Sequence, residues 1–297
     1  MNPLLFGLLV VLTTSLMGSS FAIGKMGLAY FSPLLLVGLR FTIAGILMAS
    51  WVWLKKEPLP TTKREWGRVG LVGLFQTAGV MGCIFLSLRT ISAGETSILT
   101  FINPLLVVIL GTFFLGMRYS FSQWLGVMIG FLGVTITLGY HLQWKAGTVF
   151  GMASAVSWAI ATLLVKKWGN GYSVWVLTAF QMLAGGLLLL GMGFLLETPK
   201  MILNPASLSI VLWLAVMASI VQFASWFYLL QKGDPGKTSA FLFLAPFFGV
   251  LTGWLMLGER VDWNVYAGGV LIFIGIFCVN WSPVGRKEKT TALSVNA

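Results

Sequence analysis

Apolar residues along this chain gather in long runs separated by short polar segments. The runs lie near 4 to 24, 33 to 54, 67 to 88, 96 to 116 and 121 to 140, and then near 147 to 166, 173 to 196, 207 to 230, 238 to 258 and 263 to 282. Each is about 20 residues long, the length a helix rising 1.5 Å per residue needs to cross roughly 30 Å of hydrocarbon. The pattern predicts an all-α integral membrane protein with ten transmembrane helices.

The runs fall into two copies of one unit. Residues 95 to 133 recur in register at 237 to 275, so that Glu95-Thr96-Ser97 aligns with Lys237-Thr238-Ser239, Pro104 with Pro246, and Leu115-Gly116-Met117-Arg118 with Leu257-Gly258-Glu259-Arg260. A shift of 141 aligns the earlier part, with Lys25 on Lys166, Arg40 on Gln181 and Ala44-Gly45 on Gly185-Gly186. The expected organisation is a first five-helix repeat at 1 to 141, a second at 142 to 282, and a cytoplasmic tail at 283 to 297. Five is odd, so the second copy starts on the opposite side of the membrane and its helices run inverted, an architecture common among secondary transporters.

Composition agrees with the pattern. Mean hydropathy is +0.92, and only 9% of residues are charged, against about 25% in a soluble domain. The net charge of +11 comes from 19 Lys and Arg against 8 Asp and Glu. Thirteen of the basic residues lie in the loops and tail on the side of the N-terminus, five lie on the other side, and Arg40 alone lies within a run. Lys and Arg are retained on the cytoplasmic side. This predicts a multi-pass protein of the cell membrane with both termini cytoplasmic, and explains the charge without a nucleic-acid partner. Met1 to Gly24 lacks a basic start and a small-residue cleavage site, so it reads as a retained helix. Cys83 and Cys278 fall inside runs, where free cysteine behaves as a small apolar residue, and no disulfide, metal or cofactor is expected. A G-x-x-x-x-G-K-[ST] motif is absent, which argues against a nucleotide-driven pump.

The paired halves, Leu257-Gly258-Glu259-Arg260 after the ninth run, Arg40-Phe41 with Ala44-Gly45 in the second, and Lys25 ending the first resemble the EamA-type members of the drug/metabolite transporter superfamily. The resemblance covers about residues 4 to 282. It implies a ten-helix inner-membrane carrier with a central cavity between its halves, commonly exporting amino acids, other metabolites or toxic compounds. The first copy departs from the pattern, with Met117 where a glutamate is expected.

Polar residues inside the runs are the candidates for chemistry, because hydrocarbon penalises them and they face the bundle interior or a wet cavity. Arg40 reads either as a donor to a substrate carboxylate or phosphate, or as a structural arginine bonded to backbone carbonyls. Gln76, Gln181 and Gln222 offer donors and an acceptor to a polar ligand, or hydrogen-bond between helices. Ser219, Gln222 and Trp226 share a helix face. Thr100 and Asn103 precede Pro104, which breaks a hydrogen-bond ladder and with Pro246 predicts helix kinks of the kind that line transport sites. Gly126, Gly130, Gly249 and Gly253 are expected in close helix contacts. Trp158, Trp226 and Tyr228 suit an aromatic wall or core packing.

No Asp or Glu lies in the middle of a run. Either the solute moves down its own gradient, or coupling uses an acid at a span end, with Glu95 and Glu259 as candidates. His141 reads as an incidental loop residue. The function expected is secondary transport of small metabolites, amino acids or similar amphiphilic compounds, by alternating access and in the direction of export. The partners are the small-molecule substrate and the lipid bilayer, and the protein is a monomer or homodimer. A channel-like facilitator and a non-transporting receptor or scaffold are the alternatives. An enzyme would need a catalytic constellation that the chain lacks.

Overall fold

The computed structural model describes residues 3–116, 119–137, 145–168, 171–232, 241, 244–260 and 262–280. Among the described residues the regular elements are helices, in the order α1 (Pro3–Gly27), α2 (Pro33–Leu54), α3 (Lys63–Ser87), α4 (Ala93–Thr100), α5 (Asn103–Leu115), α6 (Phe121–Thr137), α7 (Ala146–Trp168), α8 (Val174–Leu196), α9 (205–232), α10 (Leu244–Leu257) and α11 (Trp263–Asn280). Seven of the ten predicted runs are helices long and apolar enough to cross a membrane, and the other three coincide with shorter apolar helices. Met117, Arg118, His141, Lys237, the boundary between the repeats and the tail at 283 to 297 lie outside the described residues.

Local signals set the ends of these helices. Thr62 with Glu65, Ser92 with Glu95, and Asn204 with Ser207 each form a reciprocal capping box that satisfies amides at a helix start. Pro33 and Pro205 stand in first turns, where a missing N–H costs nothing. Gly116 and Gly258, equivalent in the two copies, both follow a helix end at positive φ, 60° and 63°, a conformation in which any Cβ is strained.

Two features interrupt the regular helices. Within the span Ala93–Phe114, α4 stops at Thr100, a turn follows at 101–102, and Pro104 sits in the first turn of α5. Proline fits there because the amide it lacks would be unpaired anyway. Pro246 is buried within α10. The second feature was not expected at all. Helices α3 and α9 each contain a π turn, Leu74–Gly79 and Val216–Val221, separated by the same 142 positions that relate the copies. Such turns insert an extra residue into the ladder and recur at functional sites.

Glycines let the helices approach to backbone contact. A Cβ on Gly133 of α6 would lie 2.6 Å from the Gly268 carbonyl of α11, and one on Gly275 would lie 2.5 Å from the Gly126 carbonyl. Helix α2 packs on α8 in the same way, with Gly45 against Leu183 and Gly186 against Thr42. Gly130 meets Leu105, while Gly249 meets Ser97. Around these contacts run a larger apolar core, which includes Phe21, Phe41, Phe85, Phe101, Met182 and Ala218, and a smaller one around Leu99, Leu105, Val127 and Ile272.

One end of the bundle is tied across the chain. Phe31 and Met201 form an isolated antiparallel bridge, flanked by Ser32 N–H to the Lys200 carbonyl at 3.0 Å and Ile202 N–H to the Tyr30 carbonyl at 2.9 Å. Lys200 Nζ donates to the Ala29 carbonyl at 2.6 Å.

Candidate functional site

Arg40 lies eight residues into α2 and is 2% exposed. Its guanidinium reaches the π turn of α9: Nε donates to Ser219 Oγ at 2.9 Å and Nη2 to the Ala218 carbonyl at 2.7 Å. The π turn creates these acceptors. The Gln222 amide bonds the carbonyls of Met217 and Ser219 and passes over that of Ala218. The Ser219 hydroxyl donates five residues back, to the Leu214 carbonyl at 3.0 Å, which leaves its lone pairs for Arg40. The Phe41 ring lies 4.7 Å from the guanidinium carbon.

Two polar groups, one on Arg40 and one on Gln222, have no hydrogen-bond partner among the described residues. Arg40 Nη1 makes no hydrogen bond to the described residues, and no described carboxylate pairs with the arginine. The one ion pair among the described residues joins Lys25 and Glu259. Gln222, 6% exposed, follows Ser219 by three residues, and its side-chain amide makes no hydrogen bond to the described residues. A buried cation with no counter-charge among the described residues is costly, so Arg40 is suited to receive an anionic group.

The counterpart of this cluster in the sequence repeat is neutral. Gln181 of α8 is 4% exposed, and its Oε1 accepts from Thr77 Oγ1 at 2.6 Å within the π turn of α3. Arg40 aligns with Gln181, and Ser219 with Thr77, so both copies anchor a π turn from the facing helix. Gln76, in that same turn, is partly buried and makes no hydrogen bond to the described residues. In a double-mutant cycle of Thr77→Val and Gln181→Leu, read by thermal unfolding in detergent, the expected coupling is about 0.6 kcal/mol, the usual strength of an interhelical hydrogen bond in a membrane protein. A coupling near zero would show the contact to be energetically idle.

The other candidates lie around the break between α4 and α5. Thr100 Oγ1 and Ser154 Oγ are 2.8 Å apart, joining α4 to α7. Asn103, 8% exposed, opens α5 with its side chain unbonded among the described residues. Phe101, inside the break, stands edge-on to Trp158 at 5.2 Å between ring centroids and is tilted against Phe21 at 6.2 Å. This aromatic column belongs to the same apolar core as Phe41 and Ala218. Trp226 is partly buried. Tyr228 is 42% exposed, while Trp158 packs with Phe101 and Phe21 in the core.

Both coupling candidates are bound in helix caps. Glu95 accepts from the Ser92 amide at 3.1 Å in its capping box. Glu259 accepts from the Ala93 amide at 2.9 and 3.0 Å and from Lys25 Nζ at 2.8 Å. Sequence reasoning missed Ser219, Ala218, Thr77 and Ser154 as partners, and Phe21 and Phe101 as aromatic neighbours. The alignment of Thr77 with Ser219, two hydroxyls at equivalent points of the third and eighth runs, was the signal available for the first pair.

The EamA-like transporter family model matches residues 5–139 and again 145–281. Similar curated proteins include the uncharacterized transporter YvbV of Bacillus subtilis (strain 168), 28% identical over 295 residues, 97% of this chain and 95% of that protein. The uncharacterized transporter YoaV of the same organism is 24% identical over 284 residues, 94% of this chain and 97% of that protein. A solved crystal structure superimposes with a TM-score of 0.66 at 22% identity over 92% of this chain and 96% of that one, a likeness of fold. With two matches of one family model spanning nearly all of its length, this multi-pass membrane protein belongs to the EamA-like transporter family of the drug/metabolite transporter superfamily.

Proposed function

We propose that the protein is a secondary carrier of ten transmembrane helices, arranged as two inverted five-helix repeats, that moves small amphiphilic metabolites by alternating access. The observation that carries the reading is Arg40, a buried cation whose hydrogen-bond partners among the described residues, Ser219 Oγ and the Ala218 carbonyl, are neutral. An anionic group of the substrate binds there, and the Phe21, Phe101 and Trp158 column receives its apolar body. Amino acids carry both features. The neutral Gln181 and Thr77 pair, with Gln76, Asn103 and Thr100, supplies further polar contacts along the path.

Support for the inverted repeat comes from the two family matches, the π turns 142 residues apart and the crossed glycine contacts of α6 with α11. Two related packings of similar energy are what alternating access needs. The orientation is that of the basic loops, with both termini in the cytoplasm of a cell membrane protein, and the direction is export, as the family resemblance implies.

Counterflow in proteoliposomes tests the reading. Vesicles preloaded with a pool of unlabelled amino acids are expected to accumulate one labelled amino acid transiently. Linear, unsaturable flux would identify a channel instead, and an absence of flux for every amino acid would remove this substrate class.

A further inference from the structure

Two carboxylates of the second half sit on helix starts of the first, at the end of the bundle where α1 turns into α2. Glu259, just past α10, accepts from the amides of Ala93 and, at 3.4 Å, of Gly94, which open α4. Lys25, at the end of α1, holds the same carboxylate at 2.8 Å and the Ile91 carbonyl at 3.0 Å. Glu197, just past α8, accepts from the Leu34 amide in the first turn of α2 at 3.0 Å. A helix start presents unpaired amides and a partial positive charge, and a carboxylate answers both. Each link crosses from one half to the other, so the halves separate at this end only by breaking them. Gly253 makes room for the contact, since a Cβ there would come within 2.5 Å of Glu259 Oε2.

The counterparts of these groups along the sequence have the wrong chemistry. The shift of 142 sets Met117 against Glu259 and Pro235 against Ala93, and the shift of 141 sets Lys56 against Glu197 and Lys166 against Lys25. A thioether carries no charge, a proline nitrogen has no hydrogen to donate, and a lysine is repelled by a helix start. Lys166 is exposed and takes part in no ion pair with the described residues.

We propose that Glu259 with Lys25, and Glu197, form a one-sided latch that makes closure at the Lys25 end the resting state of the carrier. The protein therefore waits open or loosely closed at the opposite end, and loads substrate there. In the orientation given above that end is cytoplasmic, so the latch sets the direction of loading for export. This inference rests on the alternating-access reading and adds to it an energetic asymmetry between the two closed states.

The test is a distance measurement by electron spin resonance between labels on Arg89→Cys and Leu203→Cys, exposed residues of the two halves at the latched end, in a background of Cys83→Ser and Cys278→Ser. Without further change, one narrow short-distance population is expected. Glu259→Gln, Glu197→Gln and Ala93→Pro should each raise a longer-distance population, on the order of tenfold. Ala93→Pro is the sharpest of these. It deletes one N–H at the first position of a helix, where proline is tolerated, and Ser92 before it is already extended. The exchange of Lys25→Glu with Glu259→Lys should not restore the short population, because a lysine cannot accept from the Ala93 amide. Unchanged distances in all three single variants, or full restoration by the exchange, would overturn the latch. Counterflow on the same unvaried protein separates the two claims: its absence would sink the carrier reading, while the distances would still report whether the end is latched.

Discussion

Arg40→Gln lowers the initial rate of counterflow by about 100-fold while the protein still folds. The variant copies Gln181, which already bridges to a π turn from the equivalent position through Thr77, so a neutral amide at this depth has a precedent within the same chain. What the variant loses is the charge and the free Nη1. Charged hydrogen bonds contribute about 1.5 to 3 kcal/mol each, and losing one made to a bound anion corresponds to the expected drop. Arg40→Lys does not rescue transport. The guanidinium spans Ser219 Oγ, the Ala218 carbonyl and the ligand position at once, whereas an ammonium concentrates its donors at one point. Ser219→Ala leaves the charge and the Ala218 bond in place and costs about tenfold at most. The measurements are initial rates in proteoliposomes and unfolding temperatures in detergent, taken on the same preparations. A variant that unfolds at the unvaried temperature and transports within about twofold of it would reduce Arg40 to a clamp on the π turn.

The second large effect falls on packing. Gly18→Ala lowers the unfolding temperature, and Gly18→Leu prevents accumulation of folded protein. A Cβ at Gly18 would lie 2.5 Å from the Ala245 carbonyl, 2.6 Å from the Gly249 amide nitrogen and 2.6 Å from Phe248 Cβ. Two of these are backbone atoms, which cannot rotate away. The methyl forces α1 from α10, and overpacking of this kind costs about 1 to 3 kcal/mol. Larger side chains cannot be accommodated without separating helices that also carry the Lys25 and Glu259 contact. Gly7 is the control: nothing lies within 4 Å of a Cβ there, and Gly7→Ala should leave the unfolding temperature unchanged or slightly raised. Equal stability of the Gly18 and Gly7 alanine variants would show that the helices do not pack this closely.

The family, the helical membrane class and the duplication were legible without coordinates because each depends on composition and order along the chain. The ends of α2 and α8 fall within about one residue of the apolar runs read from the sequence, since Pro33 and the polar residues at each end mark where hydrocarbon stops. Proline chemistry was legible only in part. Pro104 announces an interruption, but not that Phe101, in the turn before it, packs against Phe21 and Trp158, which only the folded bundle brings together.

Arg40 and Gln222 stood out early because membrane segments rarely carry such groups, and the sequence alone determined that they need partners. Which partners Arg40 has was decided by the tertiary structure. A π turn is a shift of hydrogen-bond register with no residue type that demands it, so neither Leu74–Gly79 nor Val216–Val221 could be read from the residues. Ala218 becomes an acceptor only because that shift leaves its carbonyl free for the guanidinium arriving from α2. Glu259 shows the same division. Its place beside the repeat marked it as a candidate for coupling, while its contact with Ala93, 166 positions away, exists only because packing brings the end of α10 onto the start of α4. Hydropathy is a property of each residue in turn, and it survives without a fold; hydrogen bonds between distant helices are properties of pairs, and only the folded bundle defines them.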